Sequence, residues 1–238
     1  MNSLIETTLI PALLPVIILG IYIYRVDNDK EPFGKLLQIF LLGALSTIVA
    51  GMVESFLAGW IESFYPAGTL GNLVITNYLG VALVEEFVKW AVIYRYVWSS
   101  RYFDDKFDGI VYAAMTSLGF AALENIMYIF SFGPGISLSR AVFAIPGHLA
   151  FSVFMGYWFS KAKWAALRGR GGRSVTDRFL SILIPTLVHG TYDFILSMPD
   201  SALMSERFLI FVIFIDILTL VLIHRADKRD GSFYGEER

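Results

Sequence analysis

Apolar residues run in long blocks along this chain, broken by short polar stretches. A helix that crosses a bilayer needs about 20 mostly apolar residues. Seven blocks meet that need, at roughly Leu4–Tyr24, Lys35–Trp60, Leu70–Trp98, Gly109–Phe132, Ser137–Ser160, Arg178–Ser197 and Arg207–His224. The pattern predicts an all-α polytopic membrane bundle of about seven transmembrane helices. It forms one domain over residues 1–238, with a short tail from about residue 225. The first block has no Lys or Arg before its apolar run and no small-residue cleavage site after it, so it is expected to stay as an anchored helix. The longest connection, near Ala162–Asp177, is basic and Gly-rich and reads as a flexible loop. No repeat relates the first three helices to the next three, which weakens a transporter built on inverted repeats.

Composition sharpens this picture. The chain is 56% hydrophobic and 17% charged, where soluble domains average about 45–50% and about 25%. Soluble and disordered classes are therefore excluded. The 20 Phe, 12 Tyr and 5 Trp suit interfacial belts. Cysteine is absent, which removes disulfides, thiolate metal sites and a cysteine nucleophile.

The net charge of −2 decides little, but the placement of charge decides more. Sixteen of the 19 Lys and Arg residues fall after the first, third and fifth blocks or in the tail. Only Arg140 and Arg207 fall in the other connections, and Lys89 lies inside a block. The positive-inside rule then places the N-terminus outside and the C-terminus in the cytoplasm. The basic run from Arg168 to Arg173 is expected to meet anionic lipid. It is too short to argue for nucleic acid.

Charge at mid-bilayer costs roughly 2.5–3.5 kcal/mol per group even on a lenient scale, so ionisable residues there are functional candidates. Nine lie away from the block ends: Glu54, Glu85, Glu86, Lys89, Glu124, His148, His189, Asp193 and Asp216. Glu85 and Glu86 precede Lys89 by four and three residues, so both can approach its ammonium. They diverge around the helix, which leaves one free to face a cavity while the other pairs. A salt-bridged ridge with a snorkelling Lys89 gives the same spacing. Phe120 and Glu124 share a helical face, and Glu124 needs a cationic partner from another helix or a metal. His189 and Asp193 also share a face, where the carboxylate can orient the imidazole. Pro185 is expected to kink the helix just before His189. His148 is predicted at similar depth. Glu54 and Asp216 have no clustered companions and read as packing or substrate-path groups. Convergence of Glu85, Glu86, Glu124 and Asp193 around one lysine requires a shared or retained proton, or a divalent cation.

At these clusters the chain resembles the PrsW family of intramembrane proteases and, more distantly, the CAAX prenyl protease superfamily. The matching pieces are Glu85-Glu86-x-x-Lys89, Phe120-x-x-x-Glu124 and His189-x-x-x-Asp193. The acidic stretch ending Glu31-Pro32 and Arg140 followed by Pro146-x-His148 match as well. Lys89 and Glu124 stand where the CAAX branch has an arginine and a histidine, which sides the chain with PrsW. The resemblance implies cleavage of a membrane-embedded protein, in some members the first cut of an anti-sigma factor, in a bacterial inner membrane. It leaves glutamate and metal mechanisms both open.

The leading expectation is an intramembrane endopeptidase. Glu85 or Glu86 activates a water, with Glu86 the one less engaged by Lys89. His189, oriented by Asp193, stabilises the oxyanion or moves a proton. Glu124 and His148 complete the cavity, and Lys89, Phe120 and Asn125 support it. No cofactor is required. In the alternative, zinc is held by Glu124, His148 and His189, although no HExxH helix exists. The partners are the bilayer and a membrane protein substrate, with no nucleic acid. A proton-coupled transporter or channel would use the same buried groups. A retinal receptor is set aside because the last block holds no lysine. A scaffold would tolerate loss of Glu85 and His189. No GxSxG motif supports a serine mechanism.

Overall fold

The computed structural model describes residues 10–198 and 205–235, and the apolar blocks within them are helices. Residues 4–9 of the first predicted helix and Arg238 of the tail lie outside the described residues. We number the helices α1 (Ile10–Val26), α2 (Phe33–Phe64), α3 (residues 70–96), α4 (Asp108–Phe132), α5 (residues 137–167), α6 (Gly171–Ser197) and α7 (Glu206–Asp227). No strand occurs among the described residues, which hold one isolated bridge between Asp105 and Ser232.

Five of these helical stretches are long and apolar enough to cross a membrane. The described part of α1 is shorter, and α3 carries charge in its second half. At 1.5 Å per residue the 32 residues of α2 extend roughly 48 Å, beyond the hydrocarbon core.

Helix ends follow local chemistry. The Thr69 hydroxyl caps α3 by accepting the Asn72 N–H at 3.2 Å. Gly133, at φ 87°, ends α4 just before Pro134. Ser205 caps α7 by accepting the Phe208 N–H.

Two features differ from the sequence expectation. First, the connection expected as a flexible loop near Ala162–Asp177 is mostly helix. α5 continues to Leu167 and α6 begins at Gly171. Ala- and Lys-rich residues favour helix here, Arg168 stacks on Trp164 at 4.2 Å, and Gly169 at φ 69° makes the turn. Second, two helices contain π-helical segments. Thr76–Ala82 precedes the glutamates of α3, and Arg140–Ala144 precedes Pro146 and His148 of α5. Such widened turns often occur at functional sites because they rephase the side chains that follow. By contrast, α6 runs through Pro185 as a single helix.

Polarity is inverted relative to a soluble protein. Leu41, Leu45, Met52 and Phe56 of α2 are exposed, as are Ile210, Ile213, Phe214 and Ile217 of α7. Their helical spacing makes an apolar face toward lipid. The interior instead holds Glu85, Glu86, Lys89, His148 and His189. Helix α4 lies at the centre, buried along most of its length. Close backbone approach secures it. A Cβ on Gly119 would lie 2.0 Å from the Phe40 carbonyl oxygen, and one on Gly43 2.0 Å from that of Thr116. Only glycine permits this α2–α4 crossing, as small residues commonly do in membranes.

Candidate active site

The second half of α3 presents Glu85, Glu86 and Lys89 to the centre of the bundle. The Lys89 ammonium donates to Glu85 Oε2 at 3.0 Å and to Glu86 Oε1 at 2.8 Å. It also lies 3.2 Å from His148 Nδ1 on α5. An ammonium has only donors, so Nδ1 is the acceptor and Nε2 carries the hydrogen. That Nε2 donates to Glu124 Oε2 at 2.9 Å. The face of Phe120 lies 4.2 Å from Lys89 Nζ, adding a cation–π contact.

The cationic partner that Glu124 needed is Arg140, whose Nη2 donates to the same Oε2 at 2.5 Å. Arg140 Nε donates to Asn125 Oδ1 at 2.8 Å, and its guanidinium stacks on Tyr128 at 3.8 Å. Arg140 stands at the start of the π-helical segment, which carries it inward rather than into a loop.

His189 closes the arrangement from α6. Its Nδ1 lies 2.9 Å from Glu86 Oε1 and its Nε2 3.2 Å from Asp193 Oδ2. Carboxylates flank both ring nitrogens, so a ring with a hydrogen on each nitrogen can serve both. Phe151 stacks on the imidazole at 4.5 Å. The approach depends on Gly190, where a Cβ would lie 2.5 Å from the Tyr78 ring. Tyr78 and Thr191 hydroxyls bond at 2.8 Å beside it.

A cavity of about 330 Å³ opens over this network. Glu85, Glu124, Arg140, His148, His189 and Asp193 line it, with Tyr128 and Tyr192 on the walls. Its lining extends to Asn77, Ser139 and Ser197, at the bundle end opposite the basic connections.

All six residues expected to be catalytic therefore meet in one place, with Lys89, Phe120 and Asn125 supporting them. Three details differ from expectation. Both glutamates pair with Lys89, rather than one. Glu86 is the more engaged, being fully buried and bonded to Lys89 and His189, whereas Glu85 borders the cavity. Glu54 is not solitary, because from α2 it lies within electrostatic reach of Glu85, Glu124, Lys89 and His189, although it does not line the cavity. Tyr128, Tyr192 and the Arg140–Glu124 pair escaped the sequence reading. The signal for Arg140 was its rarity on the poorly basic side. Asp216 does not line the cavity but lies within electrostatic reach of its wall residue Tyr192.

Fold and site together define a class, a polytopic membrane enzyme whose acid–base groups sit inside its helix bundle. Comparison with known proteins narrows it. The profile of the PrsW family, described as "PrsW family intramembrane metalloprotease", matches residues 31–221. The chain is 36% identical over 196 residues to "Protease PrsW" of Geobacillus kaustophilus, covering 82% of this chain and 80% of that one. It is 33% identical over 218 residues to that of Oceanobacillus iheyensis, covering 92% and 94%. With "Protease PrsW" of Bacillus subtilis it shares 33% identity over 184 residues, 77% and 79% of the two chains. No solved structure matches the chain. The chain belongs to the PrsW family of intramembrane proteases. It is a peptidase and an integral membrane protein.

The family description implies a metal. Among the described residues the site's close donor set is Glu85, Glu86 and His148, whose ligand atoms lie within 4.8 Å of one another. It is not the expected set of Glu124, His148 and His189, because Asp193 and Glu86 take both nitrogens of His189. Two carboxylates and an imidazole suit zinc in type. However, Lys89 Nζ already contacts all three donors. The donors do not fit a metal while Lys89 stays among them.

Proposed function

We propose that this protein cleaves a peptide bond of a membrane-spanning protein by glutamate-activated water attack, with Glu85 as the base. The observation that carries this reading is the position of Glu85. It borders the cavity while Lys89 holds one of its oxygens at 3.0 Å. A water beside Glu85 would give its proton to the carboxylate and add to the scissile carbonyl carbon. The developing oxyanion takes a hydrogen bond from His189 Nε2, which shifts to it from Asp193 while Glu86 holds Nδ1. The C–N bond then breaks, and the proton held by Glu85 passes to the leaving amine. Glu124, held by Arg140 and His148, keeps the far wall polar. Glu86 acts through Lys89 and His189 and is a positioning residue.

Because the cavity opens at the end away from the basic connections, the cut falls toward the outer face of the membrane. A substrate with one span, like an anti-sigma factor, suits that geometry, and the relatives' bacterial sources suit a bacterial cell membrane. This scheme requires no metal, and zinc is the alternative.

The test profiles new protein N-termini in host membranes expressing wild type or Glu85→Gln at matched levels. Fragments that need Glu85 support the reading and name the substrate. If no fragment depends on Glu85 where the wild type gives a phenotype, the reading fails. Purified enzyme cleaving such a substrate should keep its activity after exhaustive chelation. Loss restored by zinc alone would transfer the mechanism to the metal.

A further inference from the structure

A second cavity lies at the other end of the bundle, well away from the acid–base network. It occupies about 700 Å³ between the end of α5, the start of α6 and the end of α7. Six cations line it: Lys106, Lys161, Arg170, Arg173, Arg225 and Arg229. The lining has one carboxylate, Asp177, and it is already bonded to Arg173 Nε at 2.9 Å. The other five cations make no ion pair with any described residue. Like charges gathered around one hollow repel, and the field they focus there attracts an anion.

Two further observations say what kind of anion. The first turn of α6 begins at Arg170 with no side-chain cap, so its N-terminal dipole adds to the positive field. The floor is apolar, formed by Ile110, Leu222 and Ala226, with the Trp164 ring beside it. Charged donors above a greasy floor match a phosphodiester that carries acyl chains.

The location agrees. The positive-inside rule places this end at the cytoplasmic interface, where the leaflet carries anionic lipid. We infer that this cavity binds the phosphate of an anionic phospholipid headgroup, held by Lys161, Arg170 and Arg229. His148 and Ser160, which lines this cavity, are 12 residues apart on α5, roughly 18 Å along the axis. The lipid site is thus separate from the protease site, and its test does not require cleavage.

The experiment uses the full chain in neutral detergent and reads bound lipid by native mass spectrometry. Phosphatidylglycerol, phosphatidylcholine and inorganic phosphate are titrated separately. The wild type should retain phosphatidylglycerol over phosphatidylcholine, and phosphate alone should bind far more weakly. Arg170→Gln/Arg229→Gln should weaken phosphatidylglycerol about tenfold or more and leave phosphatidylcholine unchanged, since each cation near an anionic lipid is worth roughly one decade or less. Equal retention of both lipids would overturn the proposal. So would double-variant affinity within twofold of wild type. Binding of inorganic phosphate as tight as that of the lipid would make the cavity a free-phosphate site instead. Should the double variant fail to fold, Lys161→Gln gives the same reading, because the Lys161 side chain makes no ion pair with any described residue.

Discussion

Lys89 is the residue on which the site turns. Two carboxylates and a histidine converge on one ammonium that is almost wholly buried. Removing one partner of a buried ion pair strands the rest and typically costs about 3–5 kcal/mol. Lys89→Ala should therefore lower the amount of folded protein as well as its activity, whereas Glu85→Gln should fold and lose at least about 100-fold in cleavage rate. Western blots and a cleavage assay on matched membranes separate the two. Arg140 offers a second test at this scale. Arg140→Gln leaves Glu124 without its strongest partner, and Glu124→Gln/Arg140→Gln should recover thermal stability without recovering activity. A double variant as unstable as Arg140→Gln would show that the pair is not the stabilising contact.

At the scale of elements, the site depends on how closely helices approach. Gly190 lets α6 lie against Tyr78 of α3, and this seats His189 beside Glu86. Gly190→Ala would push the helices apart where the nearest atoms are an aromatic ring. We expect cleavage to fall by at least about tenfold, since small misplacements of reacting groups are costly. Tyr78→Ala in the same chain should restore part of it. At Gly119 the obstacle is backbone, the Phe40 carbonyl, which no rotamer change can relieve. Gly119→Ala is expected to lower the melting temperature in detergent more than Gly59→Ala, where a Cβ would meet open space. Equal melting temperatures would argue that the α2–α4 crossing is loose. Neither close approach could be read from one sequence, because glycine is common in membrane helices for several reasons. The π-helical turns were equally invisible, since no residue pattern marks a single widened turn.

For the whole molecule, an acidic group ties the α1–α2 connection to α4 and the tail. Glu31 accepts from the Tyr112 hydroxyl, and Asp108 Oδ2 accepts the N–H of Asp104 and Asp105. The Phe107 N–H bonds Asp230 at 2.9 Å, and Phe233 packs on Phe103 at 5.4 Å. Burial pushes the Asp27 carboxyl up to about 6 and that of Glu31 up to about 7. For Asp27, nearby Lys30 opposes the rise. For Glu31, Tyr112 opposes it and Asp27 and Asp104 add to it. The unfolded carboxyls titrate near about 4. Between those values the folded chain holds protons that the unfolded chain has released, so these two carboxyls make stability fall as pH rises from about 4 to 7. Melting temperatures measured from pH 5 to 8 should decline. Glu31→Gln should flatten that decline and raise the value at pH 8. An unchanged slope would remove Glu31 as its source.

Hydrophobic blocks long enough to span a bilayer, and charge that alternates between connections, determined the helical membrane architecture by themselves. Local spacing likewise determined which carboxylates, histidines and lysine could share a helical face, because helix periodicity is a property of the chain alone. What faces what across helices was decided only by tertiary structure. Arg140 meets Glu124 from 16 residues away, and His189 meets Glu86 from 103. Glu54 of α2 comes within electrostatic reach of the site although nothing adjacent in sequence points there. The basic connection became helix ends around a hollow because packing fixed residues whose composition alone permits a loop. Pairing across a bundle depends on helix rotation and depth, and these follow from glycine contacts and widened turns that leave no periodic trace in the sequence.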